Sequence, residues 1–153
     1  MSKGHSTAKA YNKYDYIIGI DPGTKTGIAV WDRKRQMFVS VQTKNIIEAM
    51  NNVLDLQYAP DTTQLVERLL VIEDARTRSG SEAAKMGAGS IRRDCSIWQE
   101  FAEYYDIDIL WRATPRGKFK TTKLPAATFK KLTGWAERTS NHARDAAMLV
   151  WRT

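Results

Sequence analysis

Four residues in this sequence have the types and placing that a site for hard metal ions requires. Asp21 closes the apolar run Tyr16-Ile-Ile-Gly-Ile-Asp21, and Glu73 stands near the end of a second, Leu69-Leu-Val-Ile-Glu-Asp74. His142 and Asp145 lie three apart near the C-terminus, a spacing that puts both on one side of a helix. Carboxylates brought together repel one another and resist desolvation unless cations lie among them. Oxygen donors with a single imidazole suit Mg²⁺ or Mn²⁺ better than zinc. Two such ions, about 4 Å apart, can hold the attacking water and the departing oxygen of an in-line phosphodiester displacement. Each residue also has a plainer reading. Asp21 before Pro22-Gly23 could be a turn acid, Glu73 a surface partner for a lysine, His142 a packing residue, and Asp145 an acid favoured by a helix N-terminus. Taken jointly and in this order, the metal site is the stronger reading.

The elements that must position these groups follow from periodicity. Residues 16–21, 27–32 and 37–41 read as three strands joined by short turns, an antiparallel meander. Residues 45–58 have apolar positions at helical spacing, and Pro60 follows them. Residues 69–74 are apolar until their acidic end, the pattern of a central strand covered on both faces. Steps of three and four from Ala84 to Tyr105 mark a long helix over 81–105. Residues 108–113 read as a further strand, 126–132 as a short helix after Pro125, and Ser140 or Asn141 as the cap of a last helix. The order β-β-β-α-β-α-β-α-α predicts an α/β fold. Its mixed five-stranded sheet, three strands antiparallel and the rest parallel, carries helices on both faces. If the first and fourth strands run parallel, Asp21 and Glu73 stand side by side.

The chain has 153 residues, enough for one domain with a core of its own, assigned to 16–153 with a basic polar tail over 1–15. The lone Cys95 excludes an internal disulfide, no Cys/His cluster suggests zinc, and no apolar run approaches membrane-spanning length. A reducing, intracellular compartment is the expectation. The formal charge of +7 points to an anionic partner, and its distribution sharpens that. Arg112, Arg116, Lys118, Lys120, Lys123, Lys130, Lys131, Arg138 and Arg144 face only Glu137 in their stretch; Arg76, Arg78, Lys85, Arg92 and Arg93 face only Glu82. Residues 48–67 contain Glu48, Asp55, Asp61 and Glu67 with no Lys or Arg. Such asymmetry is the footprint of a phosphate-binding face, with Lys118 and Lys120 around Phe119 as foremost loop contacts. Met86 and Trp98, with Ala83 and Gly87, offer a seam for a second copy.

Three segments then resemble a known family. Ile18-Gly-Ile-Asp-Pro-Gly-Thr-Lys-Thr-Gly-Ile-Ala-Val30, Val71-Ile-Glu-Asp-Ala75 and Asn141-His-Ala-Arg-Asp-Ala-Ala147 look like the three-part motif of RuvC-type Holliday junction resolvases, over about residues 16–152. The resemblance implies a ribonuclease H-like fold and a homodimeric, Mg²⁺-dependent endonuclease. Such an enzyme nicks two opposed strands of a four-way DNA junction, leaving 5′-phosphate and 3′-hydroxyl ends. Asp21, Glu73, His142 and Asp145 match the family's catalytic metal-binding positions, two ions per site. It also implies a DNA-associated cytoplasmic protein of a bacterium or an infected host, with no nucleotide cofactor. Two departures stand out. His142 occupies a position that is an aspartate in many members, and Ala75-Arg-Thr-Arg-Ser79 replaces the aromatic wedge of bacterial resolvases. Rival readings are a pre-16S rRNA-processing or flap nuclease, a sugar-kinase-type nucleotide module, and a non-catalytic junction binder. Glu73 disfavours the rRNA group, and a single domain disfavours the kinase type.

Overall fold

Buried side chains alternate strictly between the two faces of the central strands, and this alternation organises the molecule. A computed structural model describes residues 11–58, 63–74, 82–113 and 124–153, with residues 82–88 as backbone only. Strands β1 (Tyr16–Asp21), β2 (Thr26–Asp32), β3 (Met37–Lys44), β4 (Arg68–Asp74) and β5 (Asp108–Ala113) form a five-stranded sheet in the order β3-β2-β1-β4-β5. β1–β2 and β2–β3 are antiparallel, whereas β1–β4 and β4–β5 are parallel. Helices α1 (Ile46–Asp55), α2 (Glu82–Tyr104), α3 (Ala126–Thr133) and α4 (Asn141–Val150) complete the expected order.

One face collects Ile17, Ala29, Trp31, Leu69 and Val71 beneath Phe129 of α3 and Ala143, Ala146, Ala147 and Val150 of α4. The other collects Ile18, Ile20, Ile28, Val30, Leu70 and Ile72 beneath Ala49 and Val53 of α1 and Trp98, Phe101 and Ala102 of α2. Each fully buried Ile or Leu is worth about 1.5–3 kcal/mol, so slipping a strand by one residue would be prohibitive. The register is therefore fixed, and with it the face on which each strand-ending acid emerges.

Three expectations need correction. Tyr11 and Tyr14 are buried, so residues 11–15 pack onto the domain instead of trailing from it as a tail; residues 1–10 lie outside the described residues. The Tyr14 hydroxyl donates to Asp108 at 2.5 Å, and the Tyr11 hydroxyl accepts from Arg112. The Tyr14 hydroxyl, with Lys13 beside it, holds the Asp108 carboxyl below its ordinary value. Burial, in turn, raises the Tyr14 phenol. Helix α1 begins where expected, with the Asn45 side chain accepting from the Glu48 amide, but ends at Asp55 rather than Tyr58. Tyr58 instead bridges to Leu65 in an isolated antiparallel pair. Trp98 belongs to the Ala84–Tyr105 stripe read as packing on the sheet and was also offered to a seam; it is wholly buried with Phe101 edge-on at 5.5 Å, so the core reading holds and the seam loses this residue. The side chains of Ala83, Met86 and Gly87 lie outside the described residues. No helix among the described residues is long and apolar enough to cross a membrane.

Candidate active site

The sheet's alternation places Asp21 with Ile17 and Gly19, and Glu73 with Leu69 and Val71, on the face that α4 covers. β1 and β4 run parallel with Ile20 opposite Ile72, so the two acids occupy the next positions along neighbouring strands. Glu73 is buried, and the Asp21 side chain is only 13% exposed. Thr26 closes the turn after Asp21: its buried hydroxyl donates to the Gly23 carbonyl at 2.8 Å.

Helix α4 reaches this corner because both partners are stripped of bulk. Ala143, Ala146 and Ala147 face the sheet, and the residues beneath are Gly19 and Gly27. A Cβ on Gly27 would overlap the His142 carbonyl, and one on Gly19 the Ala146 carbonyl. Only glycine allows helix backbone to rest on strand backbone at these two points. Ser140 caps the helix, accepting from the Ala143 amide at 3.1 Å, and its hydroxyl also meets that of Thr43 on β3. The first turn is thereby tied to the sheet at both ends of its register.

This seating brings His142 Nδ1 to 3.0 Å from Asp21 Oδ2 across 121 residues of sequence. With Asp21 ionised, Nδ1 carries the proton and the half-exposed ring keeps Nε2 as its basic nitrogen. Asp145 follows one turn later, half-buried. The structure thus joins Asp21 to His142 and sets Glu73 and Asp145 on the flanking strand and turn. It does not close all four into one cage: no three His, Cys, Asp or Glu side chains among the described residues converge tightly enough to hold a metal ion. Asp21, Glu73 and Asp145 each make further interactions. The donor set nevertheless has the chemistry of a hard-cation site, two shielded carboxylates at strand ends with a third carboxylate and one imidazole above them.

The cations sort into two kinds. Arg92 and Arg93 are exposed on α2, and Lys130, Lys131 and Arg138 are exposed around α3. Arg76, Arg78, Arg116, Lys118, Lys120 and Lys123 lie outside the described residues, as does the side chain of Lys85. Arg112 and Arg144, counted from sequence with the phosphate-facing cluster, are instead engaged within the fold, Arg112 half-buried and Arg144 buried. Arg112 donates to the Leu149 carbonyl at 2.8 Å and to Tyr11, spanning β5 and the end of α4. Arg144 is buried and donates only to internal acceptors. Sequence reasoning also passed over Asp94, which is buried on α2, and the Gly19 and Gly27 seats; the paired glycines on adjacent strands were the available signal.

No protein-family model matches the chain, and no curated protein matches it by sequence. Solved structures do match in three dimensions, RuvC among them. Thermus thermophilus RuvC in complex with a Holliday junction substrate superposes with a TM-score of 0.56 at 13% identity, covering 90% of this chain and 91% of that one. A second Thermus thermophilus RuvC structure gives 0.51 at 14% identity, covering 90% and 92%. Both matches run through the sheet and its helices almost end to end, and the chain has the RuvC-type, ribonuclease H-like fold.

Proposed function

We propose that this protein is a divalent-metal-dependent endonuclease that cuts branched DNA, with the four-way junction as its main substrate. The observation that carries the reading is the contact between Asp21 and His142, made at the end of β1 beneath the first turn of α4, with Glu73 on the next strand. One of the RuvC structures of the same fold holds a Holliday junction, which supports the same class of substrate here. Asp21, Glu73 and Asp145 would supply oxygen ligands and His142 its Nε2, to Mg²⁺ or to Mn²⁺ in its place. When bound, such ions lower the pKa of an attacking water and offset charge on the leaving oxygen.

The chain's own residues have separate tasks. Asp21 orients the His142 ring through Nδ1, as carboxylates do for metal-site imidazoles. That leaves the Nε2 lone pair free to ligate; with water attacking phosphorus as the P–O3′ bond breaks and the 3′-oxygen taking its proton from solvent, the products would carry 5′-phosphate and 3′-hydroxyl ends. Glu73, buried at its strand end, has little freedom to move and fixes one wall of the site. Arg92 and Arg93 meet backbone phosphates, which positions DNA without reading its sequence. A four-way junction has approximate two-fold symmetry, and a homodimer would present one site to each opposed strand.

The test is a cleavage assay on a synthetic four-way junction, a flap, a linear duplex and a structured RNA, each with and without Mg²⁺. Paired nicks in the junction that require the metal are the expected result. Cleavage of RNA or flap alone would move the protein to another ribonuclease H-like activity, and tight junction binding without cleavage would make it a binding protein.

A further inference from the structure

The geometry assigns Arg144 a positioning role: this buried guanidinium holds the first turn of α4 in the place where His142 reaches Asp21. The inference rests on the nuclease reading for its consequence, but not for its structural content. Arg144 is 6% exposed, and its Nε donates to the Leu124 carbonyl at 2.7 Å. One terminal nitrogen donates to the Thr139 carbonyl at 2.6 Å and the Thr139 hydroxyl at 2.9 Å; the other donates to the Asn141 side-chain oxygen. Four hydrogen bonds use most of the five N–H groups that a guanidinium offers.

Every one of those acceptors is neutral. Among the described residues no carboxylate pairs with it; a buried cation so placed is costly to desolvate, and an apolar side chain of similar volume would commonly be as stable there. General stability is therefore a poor explanation for the charge. What the fork does is join three points of the chain: the residue before the α3 cap, the residue before the α4 cap, and the first residue of α4 itself. On its sheet side, the start of α4 presents alanines over glycines. That surface sets how closely the helix approaches but offers few knobs to stop it turning or sliding. Ser140 fixes its end; Arg144 fixes its rotation from the side of the α3 connection. His142 and Asp145 lie on either side of Arg144 in the same turn, so a small rotation would move both.

Arg144→Met and Arg144→Lys separate this role from a general one. The readings are junction affinity without Mg²⁺, cleavage rate at saturating enzyme with Mg²⁺, and amide hydrogen exchange along the chain. Arg144→Met is expected to cleave about 100-fold more slowly, the scale for a misplacement of roughly 1 Å, with affinity unchanged. Arg144→Lys restores the charge but not the fork and should fall between. Exchange should quicken in residues 140–146 and stay as it was in β1 and β4. Wild-type cleavage and exchange in folded Arg144→Met would overturn the inference, and so would exchange rising across the whole sheet with affinity and rate lost together. If Arg144→Met does not fold, Asn141→Ala removes one acceptor at an exposed position and is judged by the same readings. A wild-type protein that cleaves no DNA refutes the nuclease reading, while the exchange pattern still decides the role of Arg144.

Discussion

Adding one methyl group at Gly27 tests the seating of α4 directly. A Cβ there would lie well inside 3.0 Å of the His142 carbonyl, where an ordinary contact needs 3.4–4 Å. Backbone on both sides cannot swing away as a side chain would, so the start of α4 must lift by roughly 1 Å, the scale at which catalytic geometry loses about 100-fold in rate. Overpacking of this kind costs about 1–3 kcal/mol. For a domain of this size that is a melting point lower by about 2–4 °C for each kcal/mol. Gly27→Ala should therefore melt measurably earlier by calorimetry and cut a four-way junction about 100-fold more slowly, at unchanged affinity without Mg²⁺. Gly89→Ala is the matched control. It adds the same methyl group in α2 with nothing within 4 Å, so it should instead stabilise by about 0.5–1 kcal/mol through helix propensity. If Gly27→Ala melts and cuts as the parent does, α4 does not rest on β2 as described, and the Asp21–His142 contact loses its support.

Asp21→Asn and Glu73→Gln should each reduce Mg²⁺-dependent cleavage by about 10⁴-fold, the scale for groups that act as a unit, and leave junction binding intact. Near-parental turnover in either variant would remove that residue from the site. Arg92→Ala combined with Arg93→Ala should weaken junction binding and lower its log–log salt slope by about 2. An unaltered slope would take α2 off the DNA face. Tyr14→Phe should cost about 1 kcal/mol at neutral pH by deleting the hydrogen bond to Asp108. The folded Asp108 carboxyl lies below its ordinary value of 3.8, so this stabilisation is present above that pH and is lost as pH falls through the lowered folded value. Thermal melts from pH 7 down to 3 should show the gap between Tyr14→Phe and the parent narrowing; a gap that widens in acid would contradict the assignment.

Element order, and which strands end in acid, were legible in the residues alone. Those patterns are local: unbroken apolar runs in β1 and β4, three-and-four spacing in α2, and the Ser140 cap of α4 each depend on residues a few positions apart. Tertiary structure decided the rest. Arg144 and Arg92 are both arginines in basic stretches, yet one is buried among carbonyls and the other is exposed, because only the packed chain brings Leu124 and Thr139 to the former. Tyr14 read as part of a tail until Asp108 supplied its partner. The site shows the same division. Asp21 and His142 were legible as candidates, but their 3.0 Å contact joins residues 121 apart. That contact depends on two glycines whose missing side chains let a helix settle onto a sheet, and nothing in the local sequence records which backbone will come to lie above a glycine.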